Sequence, residues 1–579
     1  MSATKKPRAR SATDDARGPG ETKKPRARSA TDDRRPPGAI KKPRARSATD
    51  DARGPGATKK PRARSATDDA RGPGATKKLV LVVIDALKPA MLDRAIANGR
   101  APALARIRRD GCYVDDCVAA FPSVTPVCAA TITTGAGPDE HWIPSMNWYH
   151  REEGRYVEYG SSFSASRQFG VLRSLTDTVY RMNAEHLSPD VETVFESLDD
   201  ADVRTAGTTY LIYRGRHHHE VSNETALARI VTSTLFRRTI DGPRELFYAD
   251  LYASRRTGCR GQLGMPGIRD QHTGCVGAYL VENDLFDFML FSLPDNDAWS
   301  HKNGPHAQVT SIAAADRQLE RLMHAAGGPD EFLDQFAVIV TSDHSQAAVE
   351  ERIRLDRAFA DFDVATRSAA RSVGAEVALS PAQRAAMIYA LDDERRDELV
   401  SQSVEAACAL EGVDLALWLT GSNQEEAVVR SRRGELRFAP GDQVEDERGG
   451  RWDVEGNLAA LRAEVQDGRF LCSEYPSALE RIWSALSCPN AGDVLLSASP
   501  GYEFVDWGGA DHVGGGSHGS LHRTDSLGAL LWCGTGPASA AARGRWSLRD
   551  VAPLVREHFG VSDGGSGLGD QHRSRLGAD

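Results

Sequence analysis

The sequence predicts an α/β protein whose central sheet is mostly parallel and is covered by helices on both faces. The run Leu79–Ile84 (LVLVVI) is apolar throughout and rich in β-branched residues, which is typical of a strand buried on both faces. Similar runs alternate with helical patterns along the chain, and this alternation favours parallel strands joined by helices. Aspartates and histidines repeatedly follow these runs, at the strand ends where α/β sheets bind ligands.

The other elements are predicted in chain order from the same patterns. Helices are predicted at Ala90–Ala97, Ala101–Arg109 and Val309–Ala325. Further buried strands are predicted at Val203–Thr208, Phe286–Leu293, Phe336–Thr341, Asp493–Ser497 and Leu527–Trp532. Two stretches, 147–200 and 350–492, fit the sheet poorly, and we interpret them as cap-like insertions that shape or cover a site. The second contains a predicted helical piece at Pro381–Leu391 and a polar hairpin near Arg430–Asp453.

The N-terminal part of the chain repeats itself. Residues 3–74 are four copies of an 18-residue basic unit close to ATKKPRARSATDDARGPG, and Ile40 is their only large apolar residue. Without apolar side chains to stack, residues 1–76 are predicted to be disordered. A nucleic-acid or anionic-surface tether is one interpretation. We favour a neutral duplication, or a start codon assigned too early, because the copies are nearly identical.

The composition indicates a folded body of ordinary type, with 40% hydrophobic and 26% charged residues in 579. We find no apolar run of about 18 residues, so no membrane span is expected. The nine cysteines form no CxxC pair, which predicts reduced thiols and a cytoplasmic location. For Cys259 and Cys275, unpaired thiols are favoured over a disulfide. For the triple histidine His217–His219, a surface loop is favoured over a metal site, since adjacent strand residues face opposite ways.

Polar residues of one chemical kind follow the predicted strands. Carboxylates and imidazoles are ligands that Zn²⁺-like divalent ions accept. A single aspartate after a strand is more often a turn former or a helix cap, but the repetition in one structural position predicts a metal site. The candidate ligands are Asp85, Asp295, Asp297, His301, Asp343, His344 and His518.

Thr125 lies in the segment FPSVTP, directly before Pro126 and a short predicted helix at Val127–Thr134. Proline at the first helical position and threonine at the cap would explain these residues without any catalysis. The same geometry places a hydroxyl beside backbone N–H groups that attract phosphate oxygens. With metal ligands nearby, Thr125 becomes a candidate nucleophile.

Five motifs occur in order: VVIDAL, FPSVTP, DAWSHKNGP, VTSDHS and GSHG. Together they resemble the nucleotide pyrophosphatase/phosphodiesterase branch of the alkaline phosphatase superfamily, over residues 77–345 and 490–540. The resemblance implies an alkaline phosphatase-like three-layer α/β/α sandwich, with a catalytic domain over residues 77–560. We expect residues 561–579 to form a flexible tail. Two departures from the family pattern are SDHSQ in place of SDHGM, and Cys128 and Ala129 after the nucleophile where Asn and His are common.

The resemblance implies two zinc sites. One would contain Asp85, Thr125, Asp343 and His344, and the other would contain Asp297, His301 and His518. Asp297 fits the family spacing Asp-x-x-x-His, while Asp295 is kept as an alternative ligand because it follows Pro294. His512 ranks below His518 as a ligand. Asn147 is expected to donate to a phosphate oxygen, although its spacing from Thr125 is one residue longer than usual.

The function that this resemblance implies is hydrolysis of phosphodiester or nucleotide pyrophosphate bonds with two divalent ions. Thr125 would attack phosphorus by in-line displacement and form a phosphothreonine intermediate. Phosphonate hydrolysis is the nearest alternative. Phosphomonoester hydrolysis is less favoured because no arginine is placed beside Thr125, and the Cys-x-Pro-x-Arg motif of sulfatases is missing. From another class, the alternative is a nucleic-acid-binding protein that acts through its basic repeats.

Overall fold

The structure is a computed structural model that describes residues 76–220, 239–248, 251–261, 267–366, 374–421 and 424–562. All of these belong to one unit, Pro73–Asp579. The predictions of disorder over residues 1–76 and of a flexible tail over 561–579 fall almost entirely outside the described residues.

A mixed eight-stranded sheet forms the centre of the fold. Its five middle strands, from Phe336–Thr341 to Glu245–Tyr248, are parallel, and antiparallel strands flank them. This confirms the predicted mostly parallel sheet. In spatial order the strands are Cys112–Val118, Leu527–Cys533, Phe336–Thr341, Lys78–Ile84, Phe288–Leu293, Thr205–Gly207, Glu245–Tyr248 and Tyr252–Ala253.

The first strand shows why its sequence is apolar without alternation. Leu81 lies opposite Leu290 on one side and Ile339 on the other, so the strand has neighbours at both edges. Its odd-numbered residues, such as Leu81, pack into one hydrophobic cluster, and even-numbered residues, such as Val82, pack into another. Because successive side chains of a strand point to opposite faces, both faces of the sheet are covered.

Helices cover both faces, which gives the three predicted layers. One face packs against Pro89–Ala97, Pro102–Asp110, Arg269–Glu282 and Val309–Ala325, and the other against Thr125–Thr134, Val194–Asp200 and Val551–His558. The remaining described α-helices are Pro138–His141, Phe163–Phe169, Val171–Thr176, Asp295–Asn303, Pro329–Gln335, Leu355–Ala358, Arg396–Cys408, Ala478–Leu486 and Arg523–Ser526. A π-helix spans Asp177–His186. Within the described ranges, no helix combines the length and the apolar character needed to cross a membrane.

The long insertion forms a second, mainly antiparallel sheet of nine strands. The predicted hairpin near Arg430–Asp453 is part of it. The predicted strand Asp493–Ser497 exists as Val494–Ala498, but it belongs to this second sheet, because a buried apolar run carries no information about which sheet it joins. The strands are Val377–Ala382, Ala385–Ala390, Val413–Thr420, Glu426–Ser431, Gly434–Glu445, Arg451–Gly456, Glu464–Gln466, Arg469–Leu471 and Val494–Ala498.

The prediction of a helix at Pro381–Leu391 is wrong. These residues form a β-hairpin, Val377–Ala382 with Ala385–Ala390, and both strands are buried throughout. Gln383 at the turn has a φ of +61°, which a helix does not allow. The alanine-rich pattern favours a helix locally, but burial against neighbouring strands overrides that preference.

Smaller elements complete the fold. The expectation of unpaired thiols at Cys259 and Cys275 is contradicted, because the two form a disulfide with a Cα–Cα distance of 5.8 Å. This bond joins the segment before Arg269–Glu282 to that helix. His217–His219 is an edge strand, with the side chain of His218 79% exposed. The remaining strands are Asn147–His150, Arg155–Glu158, His217–His219, Ile240–Gly242, Ala347–Ile353, Gly501–Phe504 and Gly516–Ser517.

Candidate active site

A cavity of about 840 Å³ opens beyond the carboxyl ends of the parallel strands. Its position follows from the topology, because the ends of parallel strands meet at one edge of the sheet. The candidate residues that line it are Asp85, Thr125, Asp297, His301, Asp343 and His518. His344 lies directly behind them and is completely buried.

The first group of side chains comes from two neighbouring parallel strands. Asp85 ends the strand Lys78–Ile84, and His344 follows Phe336–Thr341. The His344 Nε2 atom lies 3.6 Å from Asp85 Oδ1 and 3.4 Å from Asp343 Oδ2. The other oxygen of Asp343 accepts the backbone N–H groups of Ala86 and His344, which fixes the carboxylate in place.

Thr125 adds a hydroxyl to this group. Its Oγ1 atom lies 3.3 Å from His344 Nε2. The helix Thr125–Thr134 begins at Thr125 itself, and Val124 takes the cap position, so the threonine is not the side-chain cap that its sequence also allowed. Every other residue of this helix is buried, while Thr125 is partly exposed towards the cavity.

The second group comes from the helix Asp295–Asn303 and from the segment after Gly516. Asp297 and His301 are one turn apart, so their side chains share a face. Asp297 Oδ2 lies 3.2 Å from His301 Nε2, and Asp297 Oδ1 lies 3.6 Å from His518 Nε2.

The two groups meet at Asp297. The donor atoms of Asp297, His301 and His518 all lie within 4.8 Å of one another, and the same is true of Asp85, Asp297 and His344. The resemblance placed Asp297 in one site only, whereas the structure places its carboxylate within reach of both groups.

The three imidazoles are oriented alike. Each donates its Nδ1 hydrogen to a backbone carbonyl: His301 to Gly516 at 2.8 Å, His344 to Ser345 at 3.0 Å and His518 to Ser123 at 2.9 Å. A neutral imidazole that donates through Nδ1 has a bare Nε2. The Nε2 atoms of the three imidazoles face carboxylate oxygens at 3.2–3.6 Å. Such an arrangement is stable only with a proton or a cation between the acceptors.

The charges of the group fit a cation site. Burial, followed by the carboxylates of Asp343 and Asp297, holds the pKa of Asp85 well above its usual value. Burial, followed by the charge of His344, holds the pKa of His518 well below its usual value. Asp85 Oδ1 is buried and has no hydrogen-bond partner in the described part of the chain. The carboxylate of Asp297 acts in the other direction on His301 and raises the pKa of that imidazole against the effect of burial. Crowded carboxylates and imidazoles are the donor set of a divalent metal ion.

Asp295, the alternative ligand, lies outside this cluster. Its Oδ1 accepts hydrogen bonds of 2.9 Å from Arg269 Nε and from Gly267 N, and its Oδ2 accepts one of 3.1 Å from Asp270 N. These bonds attach the start of the helix Arg269–Glu282 to the sheet edge. The geometry therefore favours Asp297 over Asp295 as a ligand.

Asn147 is placed away from the cluster. It is completely buried, its Nδ2 donates to Pro381 O at 2.8 Å, and it is not among the described residues that line the cavity. The structure therefore uses this amide to hold the hairpin of the second sheet. The role of Asn147 at a phosphate oxygen stays a prediction without geometric support.

Other polar residues at the cavity were not found from the sequence. Tyr210 follows the short strand Thr205–Gly207, and Gln383 is at the hairpin turn of the second sheet. The signal for Tyr210 was its place after a predicted strand, but tyrosine is not a metal ligand of the expected kind. His512 stacks near His301, with ring centroids 4.1 Å apart, and its Nδ1 is 2.7 Å from Glu503 Oε1.

A mostly parallel sheet with aspartates and histidines gathered around a helix-terminal threonine is an arrangement suited to a phosphoester hydrolase. The family model for type I phosphodiesterase / nucleotide pyrophosphatase matches residues 79–521. This chain therefore belongs to the type I phosphodiesterase / nucleotide pyrophosphatase family, and the resemblance read from five motifs is confirmed. None of the curated proteins matches the sequence.

Several solved structures are similar to this chain at low sequence identity. The murine ectonucleotide pyrophosphatase/phosphodiesterase 5, as an inactive variant in complex with AMP, matches with a TM-score of 0.51 and 11% identity, over 84% of this chain and 96% of that chain. The human protein of the same name gives 0.49 and 12%, with the same coverage. Phosphonoacetate hydrolase from Sinorhizobium meliloti 1021, in complex with phosphonoformate, gives 0.46 and 17%, over 84% and 97%. The murine match shows a shared overall fold.

Proposed function

We propose that this protein hydrolyses phosphodiester or nucleotide pyrophosphate bonds in a metal-dependent reaction, with Thr125 as the nucleophile. The observation that carries the proposal is the position of the Thr125 hydroxyl. It lies at the start of a buried helix, 3.3 Å from His344 Nε2, at the edge of a cluster of three aspartates and three histidines.

The cluster would hold two divalent ions, and its mixed carboxylate and imidazole donors favour zinc. One ion would be held by Asp85, Thr125, Asp343 and His344, and the other by Asp297, His301 and His518. When bound, such ions supply positive charge that favours ionised oxygen and neutralises the charge on phosphate.

The residues of the chain position the reaction. The Thr125 oxygen bonds to phosphorus while the bond to the leaving-group oxygen breaks, and water then cleaves the threonine–phosphate bond. Because Pro126 is the second residue of the helix, the N–H groups of the residues after it are the ones available at the helix start. Those groups and the helix dipole attract phosphate oxygens. The bond from His518 Nδ1 to Ser123 O joins the nucleophile segment to the second ligand group.

The cavity supports a substrate larger than inorganic phosphate. Its volume of about 840 Å³ is in the range that holds a drug-sized ligand. Apolar side chains such as Met146, Leu211 and Leu251 line the part away from the metal ligands. The murine protein of similar fold binds AMP in its structure, which supports a nucleotide or another organic phosphoester here.

The test compares three substrates with the metal content measured in the same preparation. We expect zinc-loaded protein to hydrolyse bis(p-nitrophenyl) phosphate faster than p-nitrophenyl phosphate or phosphonoacetate. Thr125→Ala should lose about 10³-fold or more in kcat, by the scale of losses when a nucleophile is removed. Thr125→Ser, which keeps a hydroxyl, should retain measurable turnover and yield a phosphoserine after acid quench. Dominant monoester or phosphonate turnover would refute the diesterase assignment.

A further inference from the structure

The Tyr210 side chain stands at the same sheet edge as the candidate metal ligands. It follows the parallel strand Thr205–Gly207 and lines the cavity together with Asp85 and Thr125. The backbone on both sides of it is fixed. Thr208 N donates to Leu290 O at 3.1 Å. Tyr213 N donates to Asn183 Oδ1 at 2.8 Å. The hydroxyl of Tyr210 is therefore held on a well-anchored turn.

That hydroxyl is buried and unsatisfied. Tyr210 is only 7% exposed, and its oxygen has no hydrogen-bond partner among the residues that the structure describes. Buried polar groups are nearly always paired in folded proteins, so a hydroxyl left open at a cavity points to a ligand atom as its partner. By contrast, the hydroxyl of Tyr159, which lines the same cavity, is bonded to Trp148 Nε1 at 3.1 Å and to His186 Nδ1 at 2.8 Å.

The surroundings of Tyr210 identify the kind of ligand. The charged or ionisable groups that act on its hydroxyl are Asp343, Cys128 and Asp85, and Cys128 is one helical turn beyond Thr125. Tyr210 is therefore within electrostatic reach of the nucleophile helix and of the first ligand group, and it lines the same cavity. A phenol carries its hydrogen at neutral pH and can donate it to a ligand oxygen.

Two other donors differ from Tyr210 in their partners. The amide nitrogen of Asn147 donates to Pro381 O, and Asn147 does not line the cavity. Arg269 lines the cavity, and two of its five N–H groups hold it to the sheet edge through Asp295 Oδ1 and Pro294 O. The Tyr210 hydroxyl, by contrast, has no partner among the described residues.

We propose that the Tyr210 hydroxyl donates a hydrogen bond to a non-bridging oxygen of the phosphoryl group, in the role that the family resemblance assigned to Asn147. This inference rests on the proposed function. It makes Tyr210 a catalytic residue that stabilises charge on the equatorial oxygens while Thr125 attacks.

The test compares Tyr210→Phe with Tyr389→Phe in the full-length, metal-loaded protein. Each variant removes one hydroxyl from a buried tyrosine, but the Tyr389 hydroxyl donates to Asn490 O at 2.9 Å and Tyr389 does not line the cavity. Tyr210→Phe should lower kcat on bis(p-nitrophenyl) phosphate about 10- to 100-fold, with KM changed by less than about 3-fold, as for the loss of one oxyanion donor. It should also weaken inhibition by orthovanadate by a similar factor. Tyr389→Phe should leave kcat within about 3-fold and lower the melting temperature instead.

A second readout separates a donor from a structural residue. With a phosphorothioate diester, Tyr210→Phe should change the ratio of rates for the Rp and Sp isomers, because only one non-bridging position loses its partner. Unchanged kcat, vanadate inhibition and isomer ratio would overturn the proposal. The proposal would also be overturned if Asn147→Ala changed kcat, vanadate inhibition and the isomer ratio while Tyr210→Phe changed none of them.

Binding of inorganic phosphate, measured by calorimetry, does not depend on diester turnover. Weaker phosphate binding in Tyr210→Phe, in a preparation that fails to cleave diesters, would support Tyr210 and refute the proposed substrate class. Unchanged phosphate binding together with diester cleavage by the parent protein would refute Tyr210 and leave the proposed function intact.

Discussion

The cavity has two walls that are built in different ways. The ligand wall consists of Asp85, Thr125, Asp297, His301, Asp343, His344 and His518, which are attached to strand ends or tied by backbone carbonyls. The far wall consists of the cavity-lining residues from Tyr159 to Val179, all within the first insertion.

The far wall is less buried and more apolar than the ligand wall. Its helix Val171–Thr176 exposes Val171 at 38%, Leu172 at 54% and Leu175 at 37%, and it continues directly into the π-helix Asp177–His186. π-helical turns are rare in proteins, and those that occur are often found at functional sites. The contrast indicates that the ligand wall determines the chemistry, while the far wall determines which organic group fits beside it.

The largest effect is expected at Asp297, where the two ligand groups meet. Asp297→Asn should lower kcat/KM about 10³-fold or more, or about 4 kcal/mol in the barrier, and should reduce the bound zinc measured by elemental analysis. Asp295→Asn is the matched control on the same helix. It should keep the metal and lose only stability, since Asp295 holds Arg269 and backbone N–H groups. Equal metal loss in both variants would contradict the assignment of Asp297.

A smaller effect, on the free energy of unfolding, is expected at Glu158, which directly precedes the far-wall residue Tyr159. This side chain is 1% exposed, and burial raises its pKa to about 7 even though it accepts the N–H groups of Gly160 and Ser161. Because the unfolded carboxyl ionises near pH 4.5, the folded state binds the proton more strongly between pH 4.5 and 7. The free energy of unfolding should therefore fall as the pH rises through this window, by on the order of 3 kcal/mol.

Denaturant unfolding at several pH values measures this dependence. Glu158→Gln cannot ionise and should remove most of the slope between pH 4.5 and 7. A slope that persists unchanged in this variant would assign the effect to other buried groups, such as Asp316, whose pKa burial also raises to about 7.

The smallest effect is expected at Leu175, which lines the cavity on the far wall. Leu175→Ala should raise KM for an organic diester about 5-fold and leave kcat unchanged, because an apolar contact binds substrate and transition state alike. Leu172→Ala is the control, since Leu172 is on the same helix but does not line the cavity. Identical kinetics of the two variants would show that the far wall does not select the substrate.

The sequence predicted the ligand wall better than the far wall for a physical reason. The strand Phe336–Thr341 and the helix Val309–Ala325 match their predicted bounds, because long apolar patterns report burial directly. Asp85 and His344 could be predicted as neighbours because strand ends share an edge. The positions of Tyr210 and Asn147 depend on contacts with distant segments of the chain. Thr208, beside Tyr210, is bonded to Leu290, and Asn147 is bonded to Pro381, and no local sequence pattern encodes these pairs.

The hairpin Val377–Ala390 shows the same limit. Its alanines and methionine favour a helix in isolation, and only the neighbouring strand Val494–Ala498 makes the extended form more stable. The Cys259–Cys275 bond was missed because a cysteine count describes the chain as a whole, whereas pairing depends on two Cα atoms that come close in the fold.

The strand Leu527–Cys533 lies next to Phe336–Thr341 in the central sheet, and the two run antiparallel. The whole nine-stranded sheet is therefore contained in what is topologically a single hairpin loop. The entropy of closing a loop grows only with the logarithm of its length, and a loop that has already become compact costs less still. We expect the inserted sheet to collapse before the final strand docks, so that refolding of the chain ends when Leu527–Cys533 pairs with Phe336–Thr341 and with Cys112–Val118.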